Sequence, residues 1–297
     1  MPETTAEPLL EPKFLHRLEQ LELVSRKIFV GKMKGERLSK RKGQSVEFAD
    51  YRNYVVGDDL RFLDRNLFAR LDKLFIRLFL EEEDLHVYFL IDNSLSMDFG
   101  DPSKLRFAKQ LAAALGFVGL VNSDRVMIEA FNDRLVQSSP ALRGRRSLWR
   151  MLEFLNKIES AGPSDMGRSL RTFSQKCSGK GIVVVLSDFM DKGGYEEALR
   201  YLIARQLDIY VIQILSQEEI EPDVTGDLKL VDVEDDDVAE ITVSRALLDR
   251  YKKNLATYRS QLYEFCTRRG VCCLFTSNRV PFEMMVLTYL RQRGLVR

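Results

Sequence analysis

Histidine is scarce in this 297-residue chain, with His16 and His86 the only two. Together with the lack of a G-x-S-x-G elbow, this excludes a serine hydrolase built on a histidine base, because His86 opens an apolar stretch rather than closing one. Cysteine is nearly as sparse. Cys177, Cys266, Cys272 and Cys273 show no C-x-x-C pairing, so neither a disulfide framework nor a thiolate zinc site is readable and buried thiols are expected. The absence of G-x-x-x-x-G-K-[ST] excludes a Walker-type nucleotidase. Long apolar runs are missing too, none approaching the roughly 18 residues of a membrane span. The opening "MPETTAEPLLEPKF" lacks the basic start and apolar stretch of a secretory leader, so a cytoplasmic protein is expected. Excess charge of either sign is also absent: 45 Lys+Arg balance 44 Asp+Glu, which removes any global electrostatic case for nucleic acid or an anionic membrane.

What is present is enough apolar sequence, 45% of the residues, to fill a real core. Residues 1–12 read as a mobile Pro/Glu/Thr-rich tail. Residues 13–82 form a block expected to pack on the main domain, with an amphipathic helix from about 12 to 30 and strand-like pieces near 45–52 and 73–80. From residue 83 to 297, apolar strands alternate with helices, the pattern of a doubly wound, mainly parallel α/β sheet covered on both faces. "DLHVYFLID", "GIVVVLSD" and "LDIYVIQIL" read as buried strands, and "VCCLFTS" as a later one. "RVMIEAF" and "RLVQSSP" read as an edge hairpin, "DLKLVDVED" and "AEITVS" as a second hairpin, and the last helix falls near 281–293. The helix in "DPSKLRFAKQLAAALGFVGLVN" is expected to start with Asp101 as its cap and Pro102 in its first turn.

In "IDNSLSMDFG" the chain places Asp92, Ser94 and Ser96 at alternate positions just past a strand, and Asp188 follows a second strand in the same way. Ligands of doubly wound sheets collect at the carboxyl ends of parallel strands. If these two strands are neighbours, two carboxylates and two hydroxyls meet in an all-oxygen pocket. Such a donor set suits a hard divalent cation, Mg2+ before zinc. The bland alternative is turn and cap chemistry, which suits Asp98 and Asp101.

"DNSLS" resembles the Asp-x-Ser-x-Ser signature of von Willebrand factor A domains and their metal-ion-dependent adhesion site. "GPSDMGRSL" is similar to the Gly-x-Thr-x-x-Gly loop of that fold, and "VVVLSDF" to its later strand ending in Asp. The resemblance implies Mg2+, with Mn2+ or Ca2+ as substitutes, held by Asp92, Ser94, Ser96, Ser164 and Asp188, and only partly loaded without a partner. Ser164 stands where Thr is usual, which keeps the hydroxyl and loses a methyl. Upstream, "GQSVEFADYRNYVVGDDLRFLDRNLFAR" closely resembles the N-terminal block of the domain-of-unknown-function 58 family, although Arg65 replaces the usual Trp after Asp64. That resemblance implies a MoxR-type AAA+ ATPase as partner, served by an adaptor or assembly factor.

Three further clusters have plainer readings. "GDD" at 57–59, with Arg52, Arg61, Asp64 and Arg70, is expected to be a turn tied by ion pairs. "RGRRSLWR", with Trp149 among Arg143, Arg145, Arg146 and Arg150, is expected to be a solvated helix start rather than a nucleic-acid surface. The acidic "VEDDDVAE" is expected to be a solvated hairpin turn. The enzymatic rival is Mg-dependent phosphoryl transfer through an Asp nucleophile, as in haloacid dehalogenase-like enzymes. It wants a second Asp two residues on, where Ser94 stands. The expectation is therefore a non-enzymatic interaction module whose metal accepts an acidic side chain from a partner protein.

Overall fold

"HVYFLID", "GIVVVLS" and "LDIYVIQIL" have almost no polar face, and strands of that kind are stable only when both sides of their sheet are covered. The computed structural model shows how this chain covers them. It describes residues 8–23, 47–80, 85–177, 181–205, 207–224, 226–231, 233–234, 238–292 and 294–296. Along the chain run α1 (Pro12–Leu18), β1 (Glu47–Asn53), α2 (Arg65–Leu71), β2 (Phe75–Leu80) and β3 (His86–Asp92). There follow α3 (Lys104–Val121), β4 (Arg125–Phe131), β5 (Leu135–Ser138), α4 (Leu148–Asn156), α5 (Met166–Lys176), β6 (Gly181–Ser187), α6 (Glu196–Ile203) and β7 (Leu207–Leu215). The chain closes with α7 (Gln217–Ile220), β8 (Gly226–Val231), β9 (Val238–Val243), α8 (Arg245–Thr267), β10 (Cys272–Ser277) and α9 (Phe282–Met284), which continues as a π-helix over Met285–Leu290.

Six strands form one sheet in the order β10-β7-β6-β3-β4-β5, parallel except for the edge strand β5. Successive side chains on a strand point to opposite faces, and the burial follows that period. Val87, Phe89 and Ile91 face one cluster with α1, α3, α4 and α9, while Tyr88 and Leu90 face the other with α5, α6 and α8. The sheet is thus a mostly parallel α/β layer flanked by helices, as the alternating pattern predicts. The β4-β5 and β8-β9 pairs are antiparallel, as expected for hairpins.

Two local expectations need correction. The first helix stops at Leu18 rather than near 30, because a turn at Glu19 and the Leu23 bridge to Val296 take over; residues 24–46 lie outside the described residues. Leu9 and Leu10, which the sequence places in the tail, are buried against the core. The cap of α3 is Ser103, not Asp101: its hydroxyl accepts the Arg106 amide at 3.2 Å, the reach available only to the residue directly before the first turn.

Residues 29–84 group as a second unit, described by itself from residue 47 to 80. There β1 pairs antiparallel with β2. Asp64 caps α2, accepting the amides of Asn66 and Leu67 at 2.9 and 3.0 Å. The "GDD" turn is held by ion pairs: Arg52 grips Asp58 through two nitrogens at 2.7 and 2.6 Å, and Arg61 pairs with Asp59. Asp64 pairs with Arg77, an arginine outside the network expected from the sequence.

Candidate metal centre

Strands β3 and β6 lie side by side and in parallel, with Ile91 opposite Leu186. Their next residues therefore leave the sheet at the same end, and Asp92 and Asp188 are both buried there, 1% and 3% exposed. Asp92 Oδ1 accepts the Ser94 amide at 3.0 Å, an Asx turn that bends the chain out of the strand. Its Oδ2 accepts the Ser187 hydroxyl at 2.6 Å, across the two strands. Ser94 and Ser96, brought together by the 3-10 turn Leu95–Asp98, set their hydroxyl oxygens 3.0 Å apart.

Asp188 is held differently. Its Oδ1 accepts the Met190 amide at 3.0 Å, and its Oδ2 takes the Lys104 ammonium at 2.7 Å. Lys104 reaches on to Glu219 Oε1 at 2.6 Å. Phe189, the next residue, stands in the left-handed region at φ 59°, a conformation costing about 1–3 kcal/mol for a non-glycine and concentrated at functional sites. The strain is over-determined: the Phe189 amide donates to Ser187 Oγ at 2.9 Å, its carbonyl accepts the Tyr258 hydroxyl, and Gln213 donates to the Asp188 carbonyl at 3.0 Å.

Electrostatics separate the two aspartates. Burial, and then the charge of Asp188, push Asp92 up to about 7 against the opposing hydrogen bonds of Ser187 and Ser94. Among the described residues no lysine or arginine pairs with it. Burial alone would pull Lys104 down, but the charges of Asp188 and Glu219 outweigh it and hold the ammonium above its ordinary value. Asn93, beside Asp92, keeps its Oδ1 buried with no hydrogen-bond partner among the described residues.

Ser164 belongs to an adjoining loop. The Leu95 amide donates to the Gly162 carbonyl at 3.0 Å and the Ala161 amide to the Asn93 carbonyl at 2.8 Å, tying that loop to the Asp92 turn. Gly162 sits at φ 69°, and a Cβ there would lie 3.2 Å from Asn132 Nδ2, so the crossing needs glycine. The Ser164 hydroxyl is directed to Asp191 Oδ2 at 3.4 Å, and its amide to Glu234 at 3.1 Å. Asp191 also accepts the Met166 amide at 2.6 Å, bracing the start of α5. Asp92, Ser94 and Asp188 are thus buried at the strand ends, with the half-buried Ser96 against Ser94 and Ser164 on the adjoining loop.

The oxygen-only inventory fits a hard cation, as does a buried carboxylate with no cationic partner. Among the described residues no group of three or more His, Cys, Asp or Glu could hold a metal, so the hydroxyls are essential to any such site. A cleft of about 520 Å³ opens beside the turn, lined by Asp98, Ser103, Arg106, Lys109 and Glu159. Lys109 donates to the Ile158 carbonyl at its edge, and burial pulls its pKa down.

Lys104, Glu219, Ser187 and Asp191 escape the sequence reading. Ser187 had a signal, since it immediately precedes Asp188 at the strand end. Lys104 and Glu219 had none, being 115 residues apart and joined only by the fold.

A family model described as "Protein of unknown function DUF58" matches residues 50–261. An uncharacterized protein of Mycobacterium bovis and one of Mycobacterium tuberculosis are each 28% identical over 258 residues, covering 85% of this chain and 81% of theirs. Among solved structures, the conserved hypothetical protein BatB from Bacteroides thetaiotaomicron is similar at 16% identity and a TM-score of 0.43, covering 70% of this chain and 98% of that one. An aerotolerance-related membrane protein from Bacteroides fragilis is similar at 18% identity and a TM-score of 0.46, covering 70% and 97%. Neither likeness bears on the chemistry of this chain. No helix among the described residues is long and apolar enough to cross a membrane.

Proposed function

Since the chain belongs to the family described as protein of unknown function DUF58, a membership that carries no activity with it, we propose from the site itself that it is a non-enzymatic interaction module using a divalent-metal centre of the von Willebrand factor A adhesion type. The observation that carries this reading is the charge imbalance at the strand ends. Asp188 and Glu219 share one ammonium, Lys104, and Asp92, buried beside Asp188, has no cationic partner among the described residues and almost no solvent to disperse its charge. One Mg2+ would bring the sum to zero. Asp92, Ser94, Ser96 and Asp188 would hold it directly or through water, Ser164 would contribute from the adjoining loop, and Mn2+ or Ca2+ would substitute. When bound, the ion supplies an open position for a carboxylate oxygen.

The partner this implies is a protein that offers a Glu or Asp, with the cleft beside the turn as the place for its flanking residues. The family resemblance makes a MoxR-type AAA+ ATPase the first partner to try, with this chain as its adaptor. Calorimetry of the full chain with Mg2+ and such an ATPase tests the reading. Affinity that falls on chelation, and again in a folded Asp92→Ala variant, is expected; affinity indifferent to both would sink the metal bridge. Phosphoryl transfer is the weaker alternative, because Ser94 stands where the second carboxylate would be. Steady turnover of a phosphate ester with Mg2+, lost in Asp92→Asn, would reverse that preference.

A further inference from the structure

Lysine is among the residues least often fully buried, and the first turn of a helix, the positive end of its dipole, is the worst helical position for a cation. Lys104 is the first residue of the 18-residue α3 and is 0% exposed. Its ammonium lies 2.7 Å from Asp188 Oδ2 and 2.6 Å from Glu219 Oε1. Only a strong local demand for positive charge retains a lysine there. Asp188 satisfies half of that demand, and it is also one of the two carboxylates the metal would need.

We propose that Lys104 is a tethered cation that competes with divalent metal for Asp188, keeping the centre weakly loaded until a partner's carboxylate tips the balance. The inference rests on the metal-bridge reading and deepens it. Ammonium and metal ion cannot share Asp188 without repelling each other across a buried space, so each lowers the other's affinity. Glu219 provides the alternative seat: with metal on Asp188, Lys104 stays paired through Glu219, whose side chain is 26% exposed and tolerates the remaining charge. Glu219 lies in α7, and the Tyr251 hydroxyl from α8 donates to its carbonyl at 2.7 Å, so exchange of the ammonium would be felt along that helix.

Two substitutions act in opposite directions. Lys104→Met keeps the length of the side chain and removes the competing charge; in calorimetric titration of the chelator-treated full chain with MgCl2 it should bind about tenfold tighter than the unmodified protein. Glu219→Gln removes the alternative seat and leaves the ammonium wholly to Asp188, so Mg2+ should bind several-fold more weakly. The rise in Tm that Mg2+ produces in each protein should rank the three in the same order. If the unmodified chain binds Mg2+ and Lys104→Met binds it equally or more weakly, competition is wrong and the metal reading stands. If neither protein binds Mg2+ or Mn2+, the metal reading itself fails and takes the competition with it. Should Lys104→Met not fold, Glu219→Gln decides: unchanged or tighter Mg2+ binding overturns the proposal.

Discussion

Asp64 and Asp92 are both buried aspartates that follow an extended stretch and accept main-chain amides, yet their surroundings push them in opposite directions. Asp64 accepts from Arg77 at 2.7 Å, from Tyr51 at 3.1 Å and from two amides, and these, Arg77 foremost, hold its carboxyl well below the ordinary 3.8. Asp92 accepts one amide and one hydroxyl, faces the charge of Asp188, and is pushed up to about 7. A carboxylate supplied with an arginine, a phenol and a helix start is a structural fixture. One buried with no cation beside it among the described residues, next to a second carboxylate and two hydroxyls, has the donors that the proposed metal centre needs. The contrast teaches that burial alone does not single out a candidate site; a buried charge left uncompensated does.

The largest expected effect comes from disturbing the one compensation the centre has. Lys104→Met leaves Asp188 buried without its cation, and removing one partner of a buried pair typically costs about 3–5 kcal/mol. Urea unfolding of the chelator-treated protein at neutral pH should show a loss of that order, partly restored by Mg2+. A loss below about 1 kcal/mol would mean that Asp188 is better solvated than its burial indicates.

Next in size is a pH profile. A carboxyl whose folded pKa is raised keeps its proton in the folded state after the unfolded chain has released it, so stability falls as pH rises between the two values. For Asp92 that window runs from about 3.8 to about 7, and the chelator-treated protein should lose on the order of a few kcal/mol across it. Asp92→Asn should flatten the fall, and Mg2+ should offset it in the unmodified chain. Asp64 has the reverse sign. Its contribution is present above about 3.8 and is lost as pH falls below that, so hydrogen-exchange protection over residues 47–80, taken relative to the intrinsic rate at each pH, should fall in acid. In Asp64→Asn that acid dependence should shrink, with faster exchange already at neutral pH. Parallel pH responses of the two aspartates would break the comparison.

These residues were unequally legible in the sequence. Asp92 and Asp188 could be read because strands buried on both faces are continuous apolar runs, so the first carboxylate after each run marks a strand end and the parallel pattern places those ends together. The alternation of β3, α3 and β4 was legible for the same reason. Lys104 was not, since a lysine in "PSKLRFAK" looks like any solvated residue of a helix start, and the two carboxylates that pair with it come from just after β6 and from α7, far along the chain. Asp64 is legible as a member of an ion-pair network but its partner Arg77 is not, because only the Leu63–Ile76 bridge shows which arginine returns to it. The cap of α3 was misplaced for a smaller reason: Asp101, Pro102 and Ser103 all suit a helix start, and one residue of offset decides which side chain reaches the amide.

Ser164 sharpens the comparison with the smallest expected effect. Its hydroxyl rests 3.4 Å from Asp191, a long contact, while Asp191 is already engaged by the Met166 amide at 2.6 Å and the Gly193 amide at 2.6 Å. Removing the hydroxyl therefore strands no buried group, and Ser164→Ala should change stability by less than about 1 kcal/mol. Mg2+ affinity is the discriminating readout. If Ser164 lends an oxygen to the ion, Ser164→Ala should weaken Mg2+ binding several-fold in calorimetry while Ser164→Thr, which keeps the hydroxyl and adds a methyl to stiffen the loop, should match or exceed the unmodified chain. Equal affinity in all three would make Ser164 a structural staple of the Asp64 kind and confine the ligand set to Asp92, Ser94, Ser96 and Asp188.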